Sequence, residues 1–162
     1  MNKNATCCKS FIIGTLALWV FYNALSYVVH HVWLAGDYQA TASLWRSEVE
    51  MQNFAGAWLV YYAIIAAIVT CIFSMCCHPR QGESSCKAGH RAMHFGVKLG
   101  LLFGLMMGSA YLYMPIPLAL GIKWFVAGFV QGFVSAIMLG LICGKKKGVC
   151  EMPKSTDEGD AA

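Results

Sequence analysis

The sequence predicts an all-α fold, a four-helix transmembrane bundle with both termini on the cytoplasmic side, and three observations lead there. The chain has 162 residues, 58% of them apolar and only 12% charged, with a mean hydropathy of +0.56, above what a soluble domain carries. Its charged residues leave four long gaps, 10–36, 51–79, 99–122 and 124–144, of 27, 29, 24 and 21 residues. Each gap meets the roughly 20 apolar residues needed to cross a hydrocarbon core about 30 Å thick. The third observation is a period of four in glycine along the last two gaps. A soluble single-domain enzyme is excluded, and so is a nucleic-acid binder, despite a net charge of +4. Residues 1–148 read as one four-span membrane domain and 149–162 as a polar, disordered cytoplasmic tail.

Orientation follows from where Lys and Arg fall, because cytoplasmic flanks retain them. Lys3, Lys9, Arg80, Lys87, Arg91, Lys145, Lys146, Lys147 and Lys154 lie on one side, and only Arg46 and Lys123 on the other. Lys98 lies one turn inside its span and can snorkel back. Both termini and the loop 79–93 are therefore assigned to the cytoplasm, and the loops 36–53 and 115–121 to the outside.

The first span, about 11–34, is too long for the 7 to 15 apolar residues, roughly, of a signal-peptide core. It carries Asn23 near mid-depth and ends in His30, His31 and Trp33, the last fitting an aromatic belt. In the loop that follows, Tyr38, Leu44, Trp45, Val49 and Met51 alternate with Arg46, Glu48 and Glu50, a pattern that suits a short amphipathic helix on the membrane surface. The second span, about 54–77, is apolar throughout, contains Tyr61 and Tyr62, and is stopped by Pro79.

The third span, about 93–114, holds Gly96, Gly100, Gly104 and Gly108; the fourth, about 121–143, holds Gly128, Gly132, Ala136 and Gly140. Spacing four keeps such positions on one slowly drifting face, where backbones approach closely. Lipid tails give no hydrophobic drive for helix association, so these stripes are read as packing surfaces, between the two spans or against a second copy or another membrane protein. Asn23 and Gln131, amides at mid-span, are expected to face the interior and to bond each other, Ser109 or Ser135.

Two groups of side chains suggest chemistry. Cys76, Cys77, His78, Cys86, His90 and His94 place three thiols and three imidazoles within one stretch beside the cytoplasmic loop. These are donors that Zn and Cu ions prefer. The spacing is weaker than the count, since there is no C-x-x-C pair and only His90 and His94 stand at i, i+4. The remaining cysteines, Cys7, Cys8, Cys71, Cys143 and Cys150, also fall on or near the cytoplasmic side, where thiols stay reduced. On the outer side, His30, His31, Asp37, Glu48 and Glu50 surround Arg46, and the bland reading of solvated loop charges outweighs proton shuttling or divalent-ion binding. No P-loop, HExxH, nucleophile elbow or dinucleotide fingerprint occurs.

The run from His31 through Tyr38, Ala42, Ser43, Leu44, Trp45, Arg46 and Glu50 to Met51 resembles a family of small bacterial integral membrane proteins with four helices and an outer loop reading roughly Y-x-A-x-A-S-L-W-R-x-x-x-E-M. The resemblance covers about 30 residues and the loop 76–94 departs from it. It implies a bacterial inner membrane, and it implies that His31, Tyr38, Trp45, Arg46 and Glu50 act together as an outer-loop unit, with no catalytic residue. The leading reading is thus a non-enzymatic, multi-pass protein of structural or accessory type, without a cofactor. Its partners are membrane lipids and a second copy or larger membrane complex, with no nucleic acid. The alternative is transition-metal handling, with Zn or Cu held by the Cys/His loop.

Overall fold

The computed structural model describes residues 3–77 and 85–144, and every regular element in them is helical. Helix α1 (Lys3–Tyr27) widens at its end into a π-helical turn, Val28–Trp33. The short α2 (Ala35–Ala40), a 3₁₀ turn at Ala42–Leu44 and the short α3 (Glu48–Gln52) follow. Helix α4 (Ala55–Cys76), α5 (Ser85–Gly108) with a 3₁₀ extension at Ser109–Leu112, and α6 (Leu118–Gly144) complete the chain. Four stretches, Lys9–Trp33, Ala55–Cys76, Gly89–Leu112 and Leu118–Ile142, are long and apolar enough to cross a membrane. The chain is an all-α, multi-pass membrane protein. The expected tail, 149–162, lies outside the described residues.

Apolar side chains such as Ile13, Val20, Val60, Ile64, Leu102, Leu105, Ile122 and Leu141 point outward around the bundle. In water this perimeter would be an aggregation surface; in a bilayer it is solvated by lipid. The inward faces form two clusters. One, at mid-bundle, gathers Leu18, Tyr22, Ala66, Val69, Phe73, Leu99, Ala136 and Leu139; the other, at the end bearing the 34–54 loop, gathers Val29, Leu34, Ala110, Ile116, Leu120 and Ala127. Helix α1 packs on both α4 and α6, and α5 packs chiefly on α6.

The α5 and α6 contact is made backbone to backbone. A methyl group built on Gly128 would sit 2.6 Å from the carbonyl oxygen of Phe103, and one on Gly132 would sit 2.6 Å from that of Leu99. From the other side, Gly100 and Gly104 would each meet a carbonyl oxygen, of Phe129 and Phe125, at 2.8 Å. Gly96 lies against Phe133 and Ala136, Gly108 against Phe125, and Gly140 against Ala92, all at 3.0 to 3.2 Å. The two small-residue faces therefore face each other inside one chain. Where lipid supplies no hydrophobic drive, this close approach gives the pair its van der Waals contact.

Two details differ from the sequence reading. The loop 34–54 holds two short helices and a 3₁₀ turn in place of one amphipathic helix, because Trp45 is extended and drawn onto the bundle and Ser47 starts a fresh helix as its N-cap. The mid-span amides do not bond each other. Asn23 Nδ2 donates to the Trp19 carbonyl of its own helix at 2.8 Å, Ser109 Oγ donates to the Met106 carbonyl, and Ser135 Oγ donates to the Gln131 backbone carbonyl. Local i to i−4 or i−3 acceptors are always within reach in a helix, so they capture side chains that sequence spacing alone would pair across helices.

Candidate functional site at the loop end

The π turn sets the geometry of this end. The Leu34 amide donates to the Val29 carbonyl five residues back, at 2.9 Å, so the helix is locally wide, and fully buried Leu34 anchors it. Such wide turns are rare and concentrate at functional positions. Helix α2 then starts at Ala35 and returns Tyr38 over His30.

Tyr38 is the hub. Its hydroxyl lies 2.6 Å from His30 Nδ1 and accepts the indole N–H of Trp124 at 3.0 Å. An indole nitrogen can only donate and takes one lone pair of the Tyr38 oxygen; the arrangement that then gives every group a partner has the Tyr38 hydroxyl donating to Nδ1, which puts the proton of a neutral His30 on Nε2. The rings of His30 and Tyr38 stack with planes 11° apart, and Trp45 meets Tyr38 edge-on at 5.3 Å and Trp124 at 5.8 Å. Trp45 Nε1 donates to Thr41 Oγ1, which in turn donates to the Asp37 carbonyl, both at 2.8 Å. Burial pushes the Tyr38 hydroxyl up to about 12; the Trp124 hydrogen bond pulls the other way, and the Asp37 and Tyr62 charges add to the rise.

Asp37, one residue before the hub, accepts from Lys123 Nζ at 2.6 Å with both side chains about one-third exposed or less. This joins α2 to the first turns of α6 across 86 residues of sequence. A partly exposed pair of this kind contributes about 1 kcal/mol or less.

Of the five residues expected to act together, Tyr38 and Trp45 meet at the hub, while the other three lie elsewhere. His31 is exposed and stacks on Tyr27 at 5.1 Å. Arg46 sits over the Phe54 ring at 5.2 Å. Glu50 completes a capping box with Ser47 at the start of α3, and the Ser47 hydroxyl and amide hold its carboxyl below the ordinary carboxylate range. Sequence reasoning missed Lys123, Trp124 and Thr41. Lys123 did carry a signal, as the lone charge between Lys98 and Lys145, which calls for a partner acid.

At the opposite end, His90 Nε2 lies 2.8 Å from His94 Nε2, on the exposed face of α5. Two imidazoles at that distance share one N–H, or turn their lone pairs on a common cation. Cys76 is exposed and Cys77 half-buried at the end of α4. His78 and the side chain of Cys86 lie outside the described residues. Among the described residues no three His, Cys, Asp or Glu side chains converge as a metal would need.

Comparison of the chain with protein-family models, with curated proteins and with solved structures gives no match.

Proposed function

We propose that this chain is a non-enzymatic protein of a bacterial inner membrane, structural or accessory in role, which holds a fixed outer surface at the end of a tightly joined bundle. The observation that supports it most is the mutual approach of Gly128 and Gly132 to the carbonyls of Phe103 and Leu99. Those faces are used up within the chain, so contact with a second copy or a larger complex falls to the apolar perimeter and to the loop anchored by Tyr38 and Asp37. Extraction of native membranes in mild detergent, followed by native electrophoresis, tests this reading. Migration with a second copy or a larger assembly is expected, and migration as a lone 17.7 kDa chain in its detergent belt contradicts it.

A second reading, binding of Zn or Cu at the cytoplasmic end, is favoured by the 2.8 Å approach of His90 and His94. The i, i+4 histidine pair on a helix presents two ligands to one ion, and Cys76, Cys77, His78 and Cys86 are the further donors close by in sequence. Elemental analysis of the purified protein decides it. Metal that is present and is lost in His90→Ala supports binding, while a content equal to the buffer blank removes the reading.

A further inference from the structure

A partly open cavity of about 20 Å³ lies between the spans below the hub, with Ser26, His30, Tyr62 and Gln131 on its polar side and Leu25, Val29, Met107 and Ala127 on its apolar side, so that all four spans contribute to its wall. Roughly 10–15 Å³ of such space is enough for one water molecule, provided two to four polar groups can bond it; cavities with apolar walls stay dry. The polar side of this wall is well supplied. Tyr62 donates its hydroxyl proton to Ser26 Oγ at 2.9 Å, which leaves the Ser26 proton and the second lone pair of the Tyr62 oxygen for other use. His30 has Nδ1 committed to Tyr38, and its Nε2 makes no bond to another described residue. The Gln131 side-chain amide likewise makes none, although its backbone carbonyl accepts from Ser135.

We propose that this cavity is a binding site for a single water molecule, held by His30 Nε2–H, the Gln131 amide and the Ser26 and Tyr62 hydroxyls. The chemistry of the wall selects such a guest. The donors and acceptors are neutral and mixed, with no carboxylate that would favour a cation and no cationic side chain that would favour an anion. In a bilayer the amide of Gln131 has no solvent to turn to, so an internal water is the partner within reach.

The water also completes a longer polar file. On the loop side it continues through His30 to Tyr38 and Trp124. On the deep side it meets the Gln131 side-chain amide; the backbone carbonyl of the same residue accepts from Ser135 at 2.5 Å, and Ser135 Oγ stands 2.9 Å from the buried hydroxyl of Tyr22. With the water bound, polar groups run from the loop end to mid-span.

The test uses the full chain, labelled with ¹⁵N in its His and Gln side chains and reconstituted in phosphatidylethanolamine and phosphatidylglycerol vesicles, with magnetisation transferred from water to protein. The imidazole Nε2–H of His30 and the amide of Gln131 are expected to receive water magnetisation, with His30 in the Nε2–H tautomer. This arm needs no variant, and absence of transfer to both groups overturns the proposal. Gln131→Leu, which fills the space with an apolar side chain, is expected to lower the transfer to His30 several-fold while the His30 Nδ1 signal keeps its bond to Tyr38. An unchanged transfer in that variant overturns the proposal as well, since the water would then lie elsewhere. Ser26→Ala serves where Gln131→Leu does not fold, with the same two outcomes.

Discussion

The hydroxyl of Tyr38 lies 2.6 Å from Nδ1 of His30, eight residues earlier, and the contact closes the loop end of the bundle over its own first span. Trp124, from the start of the fourth span, donates to the same oxygen. One hydroxyl therefore ties three separate elements, and changes at it should be felt by all of them.

Tyr38→Phe keeps the ring and its stacking but removes the shared atom. Both the Trp124 N–H and His30 Nδ1 lose their partner, and each half-buried polar group left unpaired costs about 1–3 kcal/mol. The variant should therefore unfold in detergent at lower temperature than the parent, with Trp fluorescence shifted as the Trp45 and Trp124 environment opens. An unchanged unfolding curve would show that the hydroxyl carries no weight.

The same residue sets a response to alkali. Burial raises the Tyr38 hydroxyl to about 12, above the usual value of 10.0. The folded state thus holds this proton where the unfolded chain has already released it, so its contribution is complete below pH 10 and is lost as pH rises towards 12. The ultraviolet titration of the parent minus that of Tyr38→Phe should contain a phenolate that appears only as pH rises towards 12. Identical late titration in parent and variant would contradict this.

The ion pair of Asp37 and Lys123 makes a separate prediction. Asp37→Asn and Lys123→Met should each destabilise the loop end by about 1 kcal/mol, with less effect in the double variant than the sum, because neither charge then lacks a partner. Rising salt should narrow the difference between parent and variants. Additive losses would mean that the two residues act independently.

Much of this architecture is legible in the sequence. The four gaps between charged residues give the number of spans and place the first two to within a few residues, because the bilayer fixes both the length and the composition of a crossing helix; the third span, Gly89–Leu112, starts ten residues before its gap because it takes in Arg91 and Lys98, and the fourth, Leu118–Ile142, takes in Lys123. The period of four in Gly96 to Gly108 and Gly128 to Gly140 marks the faces that meet. The site was less legible. Asp37 and Lys123, or Tyr38 and Trp124, are 86 residues apart, and no local period links them. The π turn at Val28–Trp33 is also silent in the sequence, because ordinary helix-compatible residues fill it. For the same reason the sequence reading puts His31 in the outer-loop unit, whereas the wide turn brings His30 to Tyr38 and leaves His31 against Tyr27. Asn23 shows the complementary failure, since the Trp19 carbonyl of its own helix satisfies an amide that seemed to need Gln131.

The central claim is that α5 and α6 are held backbone against backbone, and one substitution made at two places tests it most directly. Gly89 lies in α5 with open space beyond it, whereas a methyl group on Gly128 meets the Phe103 carbonyl oxygen at 2.6 Å. Helical propensity alone favours alanine over glycine by up to about 1 kcal/mol at either position. Measured by thermal or denaturant unfolding in detergent, Gly89→Ala should leave the protein as stable or slightly more so, and Gly128→Ala should destabilise it by about 1–3 kcal/mol, in the range of overpacked interiors. Stabilisation by both substitutions would contradict the account.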